Sequence, residues 1–493
     1  MSLTVGIDVG TQGVKGLVVD GDSSRVLARC GVPLTLLPVD TPGAAEQNPE
    51  DWWDAVRKTM AKLLAAVEVD PQRIVGIGIS GQQHGSVFLD RDDQVLRPAK
   101  LWCDTSTARE AEEISARLGG PVPVGFTASK VAWLAKVEPE AWGRTATVLL
   151  PHDFINLRLT GARVAEAGDA SGTGYFDPKE RTWDPAALAA VDPALADRVP
   201  PLVAEGTAIG TLSADLAAEW GLSKDVSVST GGGDNMMSAI GAGATRAGVV
   251  VTSLGTSATV FTRTDAPVID PGGEIAPFCS SDGAWLPLLC TMNATNAVEE
   301  VREAFAIPVD QYDAWTAEAA QVPAGADGVR FIPFFHGERV PPLPHATASV
   351  SGLRPGSFRR DVLLRAVLEG TTANLALGVD GLRSLGVTVD TIHLVGGGAK
   401  NPLWQTLVAD LFDAAVHLPA EAESAALGGA IQALWTARRQ EQADLSIDEV
   451  ATPFLRFDRD PVSPDPDRQA ALRPVLAEYR QQIADLRASS ASS

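Results

Sequence analysis

Two aspartates set against glycine-rich turns are the residues best placed to do chemistry. Asp8 opens the turn Asp8-Val-Gly-Thr-Gln-Gly13 between two apolar, β-rich arms, and Asp234 directly follows Val226-Ser-Val-Ser-Thr-Gly-Gly-Gly233. A hairpin turn containing glycines leaves backbone N–H groups free to point at an anion such as phosphate. Asp8 beside such a turn could orient a metal ion. Glycines let ligands approach the backbone closely, so a carboxylate placed just after three of them, where a strand passes into a helix, suits a general base. The competing role for Asp234 is a plain helix cap, and both can coexist. Ser80-Gly-Gln-Gln-His-Gly85 crowds Gln83 and His84 at the C-terminal end of an apolar strand, where open α/β sheets bind ligands; it reads as a loop for recognising a polyol. Leu101-Trp-Cys-Asp104 sets Trp102 beside Asp104, an aromatic plate next to a carboxylate that could grip a sugar.

These residues need a scaffold, and an internal repeat supplies one. Val249-Val-Val-Thr-Ser-Leu-Gly-Thr-Ser-Ala-Thr-Val-Phe261 superposes on the first hairpin when Gly255-Thr256 is laid over Gly10-Thr11, and Ile74-Val-Gly-Ile-Gly-Ile-Ser-Gly81 resembles Ile392-His-Leu-Val-Gly-Gly-Gly398. Such self-similarity implies two related α/β domains, each offering a turn toward a shared cleft. Ser253 stands where Asp8 has its counterpart, so the turns would divide the work: Asp8 for a metal, Gly255 to Ser257 for phosphate oxygens. Glu46 to Trp53 opens a helix with Asn48 as N-cap and Pro49 at its first position, its apolar face carried by Trp53, Val56, Met60, Leu63 and Leu64. Gly396-Gly-Gly-Ala-Lys-Asn-Pro402 joins a strand to a helix capped by Asn401, and its small residues make room for a flat ligand, with adenine the obvious candidate. Glu338-Arg339 is expected as an interdomain salt bridge. The domain boundary falls near Gly243, giving domains 1–243 and 244–480, with 481–493 a disordered tail; the helices of 178–222 are left unplaced.

Composition narrows the function. A chain of 493 residues with 45% hydrophobic and 21% charged residues can bury two cores. A formal net charge of -22 disfavours nucleic acid or an anionic membrane as partner. It also requires local donors and a cation to hold any phosphate. Cys30, Cys103, Cys279 and Cys290 are widely spaced without a Cys-x-x-Cys pattern, so neither a disulfide framework nor a zinc knuckle is indicated. The start shows no signal-peptide pattern, and a soluble, cytoplasmic protein is expected.

Taken together, these motifs resemble the FGGY carbohydrate kinases of the actin-like ATPase superfamily from about Thr4 to Trp435, in family order. Gly125 to Lys136 is similar to the family's first signature; Ser351-Gly-Leu with Arg365-Ala-Val-Leu-Glu-Gly370 is similar to the second. Within the family the His-Gly ending of the Gln83-His84 loop resembles the xylulokinase branch, although many of its bacterial members carry Met at the position of Gln83. The resemblance implies two actin-like (ribonuclease H-like) α/β domains around an interdomain active site, with ATP and Mg2+ as cofactors. It implies that Asp8 organises Mg2+, that Gly10, Thr11, Gln12, Gly13, Gly255 and Thr256 contact the phosphates, and that Gly397, Gly398 and Asn401 line the adenosine pocket. Asp234 would be the catalytic base, with Gln83, His84, Trp102, Asp104 and Asn235 around the sugar. The expected reaction is phosphorylation of D-xylulose at its C5 hydroxyl; a kinase for ribulose, a pentitol or gluconate, or a non-catalytic nucleotide sensor, are the alternatives. The oligomeric state is left open, a homodimer included.

Overall fold

The arms around Asp8 pair as the repeat requires. In the computed structural model, which describes residues 2–66 and 68–490, β1 (Leu3–Gly10) and β2 (Gly13–Asp20) run antiparallel with Gly10 opposite Gly13, and β3 (Arg25–Pro33) continues the meander. Helix α1 (Pro49–Leu64) leads to β4 (Ile74–Gly81), which lies parallel to β1. Helices α2 (Thr127–Val137) and α3 (Pro151–Thr160) precede β5 (Ala208–Thr211) and β6 (Ser227–Ser229). The resulting order is β5-β6-β4-β1-β2-β3. Helix α4 (Asp234–Gly241) then leaves this sheet.

The second half repeats the plan with β7 (Gly248–Leu254), β8 (Ala258–Thr262), β9 (Ala276–Cys279), β10 (Trp285–Thr291), helix α5 (Arg360–Ser384), β11 (Val389–Val395), helix α6 (Pro402–Phe412) and β12 (Ala415–His417). Its order is β9-β10-β8-β7-β11-β12, with β7 antiparallel to β8 and parallel to β11 as β1 is to β2 and β4. Helix α5 is long and apolar enough to cross a membrane, but 94% of its apolar window is buried in the second core. Gly370 lets it approach the neighbouring strand, since a Cβ there would stand 2.1 Å from Phe331 O.

The chain boundary near Gly243 is not a packing boundary. Helix α7 (Ser424–Arg439) follows the second sheet yet packs on the first, where Thr4 Oγ1 donates to Ala430 O at 2.8 Å. Strand alternation explains the face: Leu3, Val5, Ile7 and Val9 fill the core on one side of β1, leaving Thr4, Gly6 and Asp8 on the α7 side. Helix α4 reciprocates by packing Met236 and Ala239 against Val249, Val251 and Phe261 of the second domain. The two helices meet backbone to backbone: a Cβ at Gly428 would lie 1.9 Å from Met237 O, one at Gly241 1.9 Å from Ser424 O, and one at Gly6 1.8 Å from Ala426 O.

Three expectations are corrected. The buried face of α1 includes Trp52 rather than Trp53: Trp52 is fully buried and donates to Gln47 Oε1 at 2.9 Å, while Trp53 is half-buried beside Trp220. The chain does not become disordered at 481, because α8 (Pro466–Ser490) continues through buried Tyr479 and Ile483, with Leu486 packed against the same cluster; residues 491–493 lie outside the described residues. Glu338 makes no interdomain bridge. It is buried in the second domain and accepts from Met292 N at 2.6 Å, Asn293 Nδ2 at 3.1 Å and Arg339 N at 2.8 Å.

The helix crossing yields a paired prediction. Gly428→Ala must push two backbones apart and is expected to destabilise by about 1–3 kcal/mol or more. Gly143→Ala, in a helix where the added Cβ meets nothing within 4 Å, is expected to be neutral or stabilising by up to about 1 kcal/mol. Urea denaturation of the two variants checks this, and equal stabilities would contradict the tight crossing.

Candidate active site

Asp8 and Asp234 approach one cleft floor from different elements. Asp8 sits near the end of β1 in register with Ser80 of β4, whose hydroxyl donates to Asp8 Oδ1 at 2.8 Å. Burial pushes the Asp8 carboxyl up to about 6, against the opposing effects of Ser80 and Lys15. Asp234 is the first residue of α4, but the cap position belongs to Gly233 and no side chain caps the helix. The plain capping role is therefore not the one the structure gives it. Burial, then repulsion from Asp8 and Asp169, raises the Asp234 carboxyl to about 8. A carboxyl held that high is strongly basic once ionised, a property that clusters at functional sites.

The turn at Gly10 to Gly13 is fixed from beneath. Thr11 Oγ1 donates to Gln82 Oε1 at 2.8 Å, Gln82 Nε2 donates to Gln47 Oε1 at 3.1 Å, and Gln47 Nε2 donates to Thr11 O at 2.8 Å. Gln12 points to solvent, and Gly13 packs so closely that a Cβ would stand 2.8 Å from Val32 O. From above, Trp102 Nε1 donates to Thr11 Oγ1 at 3.1 Å, so the exposed indole bridges the sugar side and the phosphate turn. Lys15 is paired with Glu423 at 2.8 Å.

On the sugar side, Asn235 Nδ2 donates to Gln83 Oε1 at 2.8 Å and to Asp234 Oδ1 at 3.1 Å, bringing three expected residues into one group. His84 adopts a left-handed backbone with φ 66°, a conformation that costs energy in a non-glycine residue and clusters at functional sites. Its ring fits because residue 172 is glycine, where a Cβ would lie 2.1 Å from His84 Cε1. Burial, with Lys130 and Arg339 nearby, pushes the imidazole down to about 3, so it is neutral, and its buried Nδ1 lacks a hydrogen-bond partner. Across the cleft, Phe278 of the second domain stands 6.2 Å from the His84 ring. Asp104 is not brought to the cleft surface. It is fully buried, accepting from Ala45 N at 2.9 Å, Lys100 Nζ at 3.1 Å, Ser106 N at 2.9 Å and Ser106 Oγ at 2.6 Å. Burial alone would raise its pKa, but these partners outweigh it and hold the carboxyl below the usual range. Its role is to anchor the loop that carries Trp102.

In the second domain, the turn Gly255-Thr256 closes β7 to β8, with Thr256 exposed; Gly255 N is spent on Ser257 O at 3.0 Å and is not free for an anion. Gly397 is open, and Gly396 and Gly398 rest on Leu254, the residue before that turn, so the expected phosphate and adenosine segments adjoin. Asn401 is nearly fully buried: Oδ1 caps α6 through Leu403 N at 3.0 Å and Trp404 N at 3.2 Å, while Nδ2 reaches Thr316 Oγ1 at 3.3 Å. Its polar atoms are taken up within the protein.

Sequence reasoning missed several supporting residues. His152 lies between Asp169 Oδ2 at 2.7 Å and Asp153 Oδ1 at 3.0 Å, beneath the sugar loop. Burial disfavours its imidazolium, yet the two flanking carboxylates prevail and hold its pKa well above the usual value. Gln432 of α7 accepts from Gly231 N at 2.8 Å and donates to Gly231 O at 3.0 Å and to Ser281 O at 2.9 Å, tying the triple-glycine loop to the second domain. The detectable signals were the His-Asp pair after Pro151 and one amide inside the apolar run Ala425 to Trp435.

A duplicated sheet whose halves each carry a glycine turn, with a basic carboxyl at the start of the helix that leaves the first half, is the plan of a class: sugar phosphotransferases of two-domain, actin-like fold. The model of the FGGY family of carbohydrate kinases matches this chain over residues 3–241 for its N-terminal domain and 250–437 for its C-terminal domain. The chain belongs to that family. It is 41% identical over 447 residues to the xylulose kinase of Haemophilus influenzae, covering 87% of this chain and 90% of that protein. It is similar to the crystal structure of a xyloylose kinase from Brucella ovis, with 32% identity, a TM-score of 0.91 and 99% of each chain covered. A gluconate kinase from Lactobacillus acidophilus, at 24% identity and TM-score 0.89 over 99% of each chain, shares the fold.

Two predictions arise from this geometry. Asp8, Asp234 and Glu166, raised to about 6, 8 and 8, and the raised His152 all bind more protons folded than unfolded, where carboxyls titrate near about 4 and imidazoles near about 6.5. His84 and His393, held low by burial, act in the opposite sense below about pH 6.5, so the net fall in stability is expected as pH rises from about 7 to about 9, and a ligand-free thermal midpoint that increased over this range would contradict the raised carboxyls. Gln432→Leu strands three buried backbone groups, so a loss of at least about 2 kcal/mol is expected, with a lower kcat; unchanged urea stability would refute the clamp.

Proposed function

We propose that the protein transfers the γ-phosphoryl group of ATP to D-xylulose, giving D-xylulose 5-phosphate. The observation that carries this is the Gln83-His84 loop hydrogen-bonded through Asn235 to Asp234, together with the xylulose kinases among its relatives. Phosphoryl transfer asks a protein mainly to position reactants and balance charge. Neutral His84, its Nδ1 edge packed on Gly172, can exchange hydrogen bonds with sugar hydroxyls through Nε2, and Trp102 offers its exposed plate. Asp234 takes the proton of the acceptor hydroxyl as its oxygen bonds to phosphorus. The turn at Gly10 to Gly13 and the exposed Thr256 are the groups that would meet the phosphates, since Gly255 N is already bonded to Ser257 O, and Gly397 leaves space for the adenosine.

A magnesium ion suits Asp8. The cation takes oxygen ligands, keeps several waters and needs only one or two carboxylates besides phosphate, and Asp8 is a buried carboxyl with Ser80 occupying only Oδ1. When bound, Mg2+ would neutralise phosphate charge. Among the described residues no group of three metal-ligating side chains competes for it.

The test is ADP production with Mg-ATP across D-xylulose, D-ribulose, L-ribulose, glycerol, xylitol and gluconate. D-xylulose is expected to give the highest kcat/KM, and preference for another acceptor would overturn the substrate. Asp234→Ala is expected to lower kcat by about 100-fold or more while circular dichroism remains that of the parent. Near-parental turnover would remove Asp234 from the role of base.

A further inference from the structure

Gln83 is nearly fully buried, with only 4% of its surface exposed, an odd setting for a side chain whose sole task is to meet a sugar. Its amide lies between two partners. Nε2 faces Asp169 Oδ1 at 3.5 Å, and Oε1 accepts from Asn235 Nδ2 at 2.8 Å. Asp169 is itself fully buried and is bound through Oδ2 to His152 Nδ1 at 2.7 Å. The same two side chains press on the backbone just ahead of Asp234: a Cβ at Gly233 would stand 2.7 Å from Gln83 Cγ and 2.9 Å from Asp169 Oδ1. His152 in turn underlies Gly81 and Gly231, where added Cβ atoms would stand 2.8 Å from its N and 3.2 Å from its Cδ2.

The orientations follow from donor and acceptor chemistry. An ionised carboxylate only accepts hydrogen bonds, and the primary amide of Gln or Asn has one accepting oxygen and one nitrogen with two hydrogens. His152 Nδ1 lies 2.7 Å from Asp169 Oδ2, and a proton on that nitrogen makes Asp169 the acceptor. Gln83 must therefore turn Nε2 toward Asp169 and Oε1 toward Asn235. Asn235 must then present Nδ2, giving one hydrogen to Gln83 Oε1 and the other to Asp234 Oδ1.

We propose that Asp153, His152, Asp169, Gln83 and Asn235 form a positioning chain that fixes the rotation of Asp234, occupies its Oδ1, and leaves Oδ2 to receive the proton of the acceptor hydroxyl. Gln83 is thus a positioning residue acting through Asn235, beyond any contact it makes with the sugar. In the transfer step the hydroxyl proton passes to Oδ2, the hydroxyl oxygen bonds to the γ-phosphorus, and the bond from that phosphorus to the bridging oxygen breaks, its electron pair departing on ADP. This inference rests on the phosphotransferase reading above. It deepens that reading by naming which carboxylate oxygen works and what aims it.

The experiment is a double-mutant cycle on the full chain with Gln83→Met and Asn235→Ala, each assayed for kcat and for the KM of the sugar that the parent turns over best. Each single variant is expected to lower kcat about tenfold or more, as small misplacements of a reacting group do, with KM within about threefold. The double variant should be no slower than the slower single one, because both changes break the same chain. Asp169→Asn, which gives the amide an ambiguous partner, should lower kcat in the parent and add nothing in the Gln83→Met background. If Asp169→Asn fails to fold, the first cycle still decides. A rise in KM at unchanged kcat for Gln83→Met, or losses that multiply in the double variant, would overturn the chain. A wrong substrate would show in the parent's sugar preference, not in the variants; silence of the parent with every sugar would overturn both readings.

Discussion

Carboxylates crowd the cleft floor, and much of the structure answers to that constraint. Asp8, Asp169 and Asp234 lie within electrostatic reach of one another in a region withdrawn from water. Like charges in such a place cannot all ionise without compensation. Directly under Asp169 lies His152, whose pKa the neighbouring carboxylates Asp153 and Asp169 hold above the usual value against the opposing effect of burial. Among the described residues no basic side chain lies equally close to Asp8 or Asp234, which leaves those two poised to take up a proton or a ligand-borne cation. The pressure that disfavours their ionised forms is what raises the basicity of Asp234, and a chain carrying a net charge of -22 has no surplus of basic side chains with which to relieve it.

That electrostatic arrangement works only if the elements bearing it are held still. The backbone contacts of Gly6, Gly241 and Gly428 lock α4, which starts at Asp234, against α7 and the strand that ends near Asp8. A side chain at any of these positions would separate the base from the metal-orienting carboxyl. Gln432 extends the same junction by holding Gly231 and Ser281 together. The small residues of α7 are therefore part of the active site's geometry, though none faces the cleft.

The duplicated sheets were legible because hairpins and parallel partners leave period-two apolar patterns bounded by glycine, and both copies carry them. Asp8, Asp234 and the Gln83-His84 loop were legible because polar residues beside glycines at strand ends stand out. The destination of α7 was not, since a small-residue helix after the second sheet carries no mark of the sheet it will cover. Trp52 and Trp53 are adjacent, and a shift of one residue, about 100° around a helix, decides which is buried; Gln47 makes that choice through the Trp52 indole. Asn401 was legible as a helix cap, because Asn before Pro marks a helix start, and its side chain does cap Leu403 N and Trp404 N. The partners that surround Asp104 were not legible, since Ala45, Lys100 and Ser106 meet it only through the fold.

Substrate choice cannot reside in the fold, because a gluconate kinase shares it nearly end to end. It must lie in side chains near the acceptor that also communicate with the phosphate turn. Trp102 is the one whose position does both: its exposed ring faces the sugar side while its Nε1 holds Thr11, and Thr11 is bonded through Gln82 to Gln47. Gln82 and Gln83 are consecutive residues whose side chains serve opposite partners, the phosphate turn for one and the base for the other. The Gln82-Gln83 dipeptide therefore ties the turn at Thr11 to the Asn235-Asp234 pair. The physical consequence is that a change at either glutamine is felt at both the Gly10 to Gly13 turn and Asp234, all of which the chain builds on its first domain.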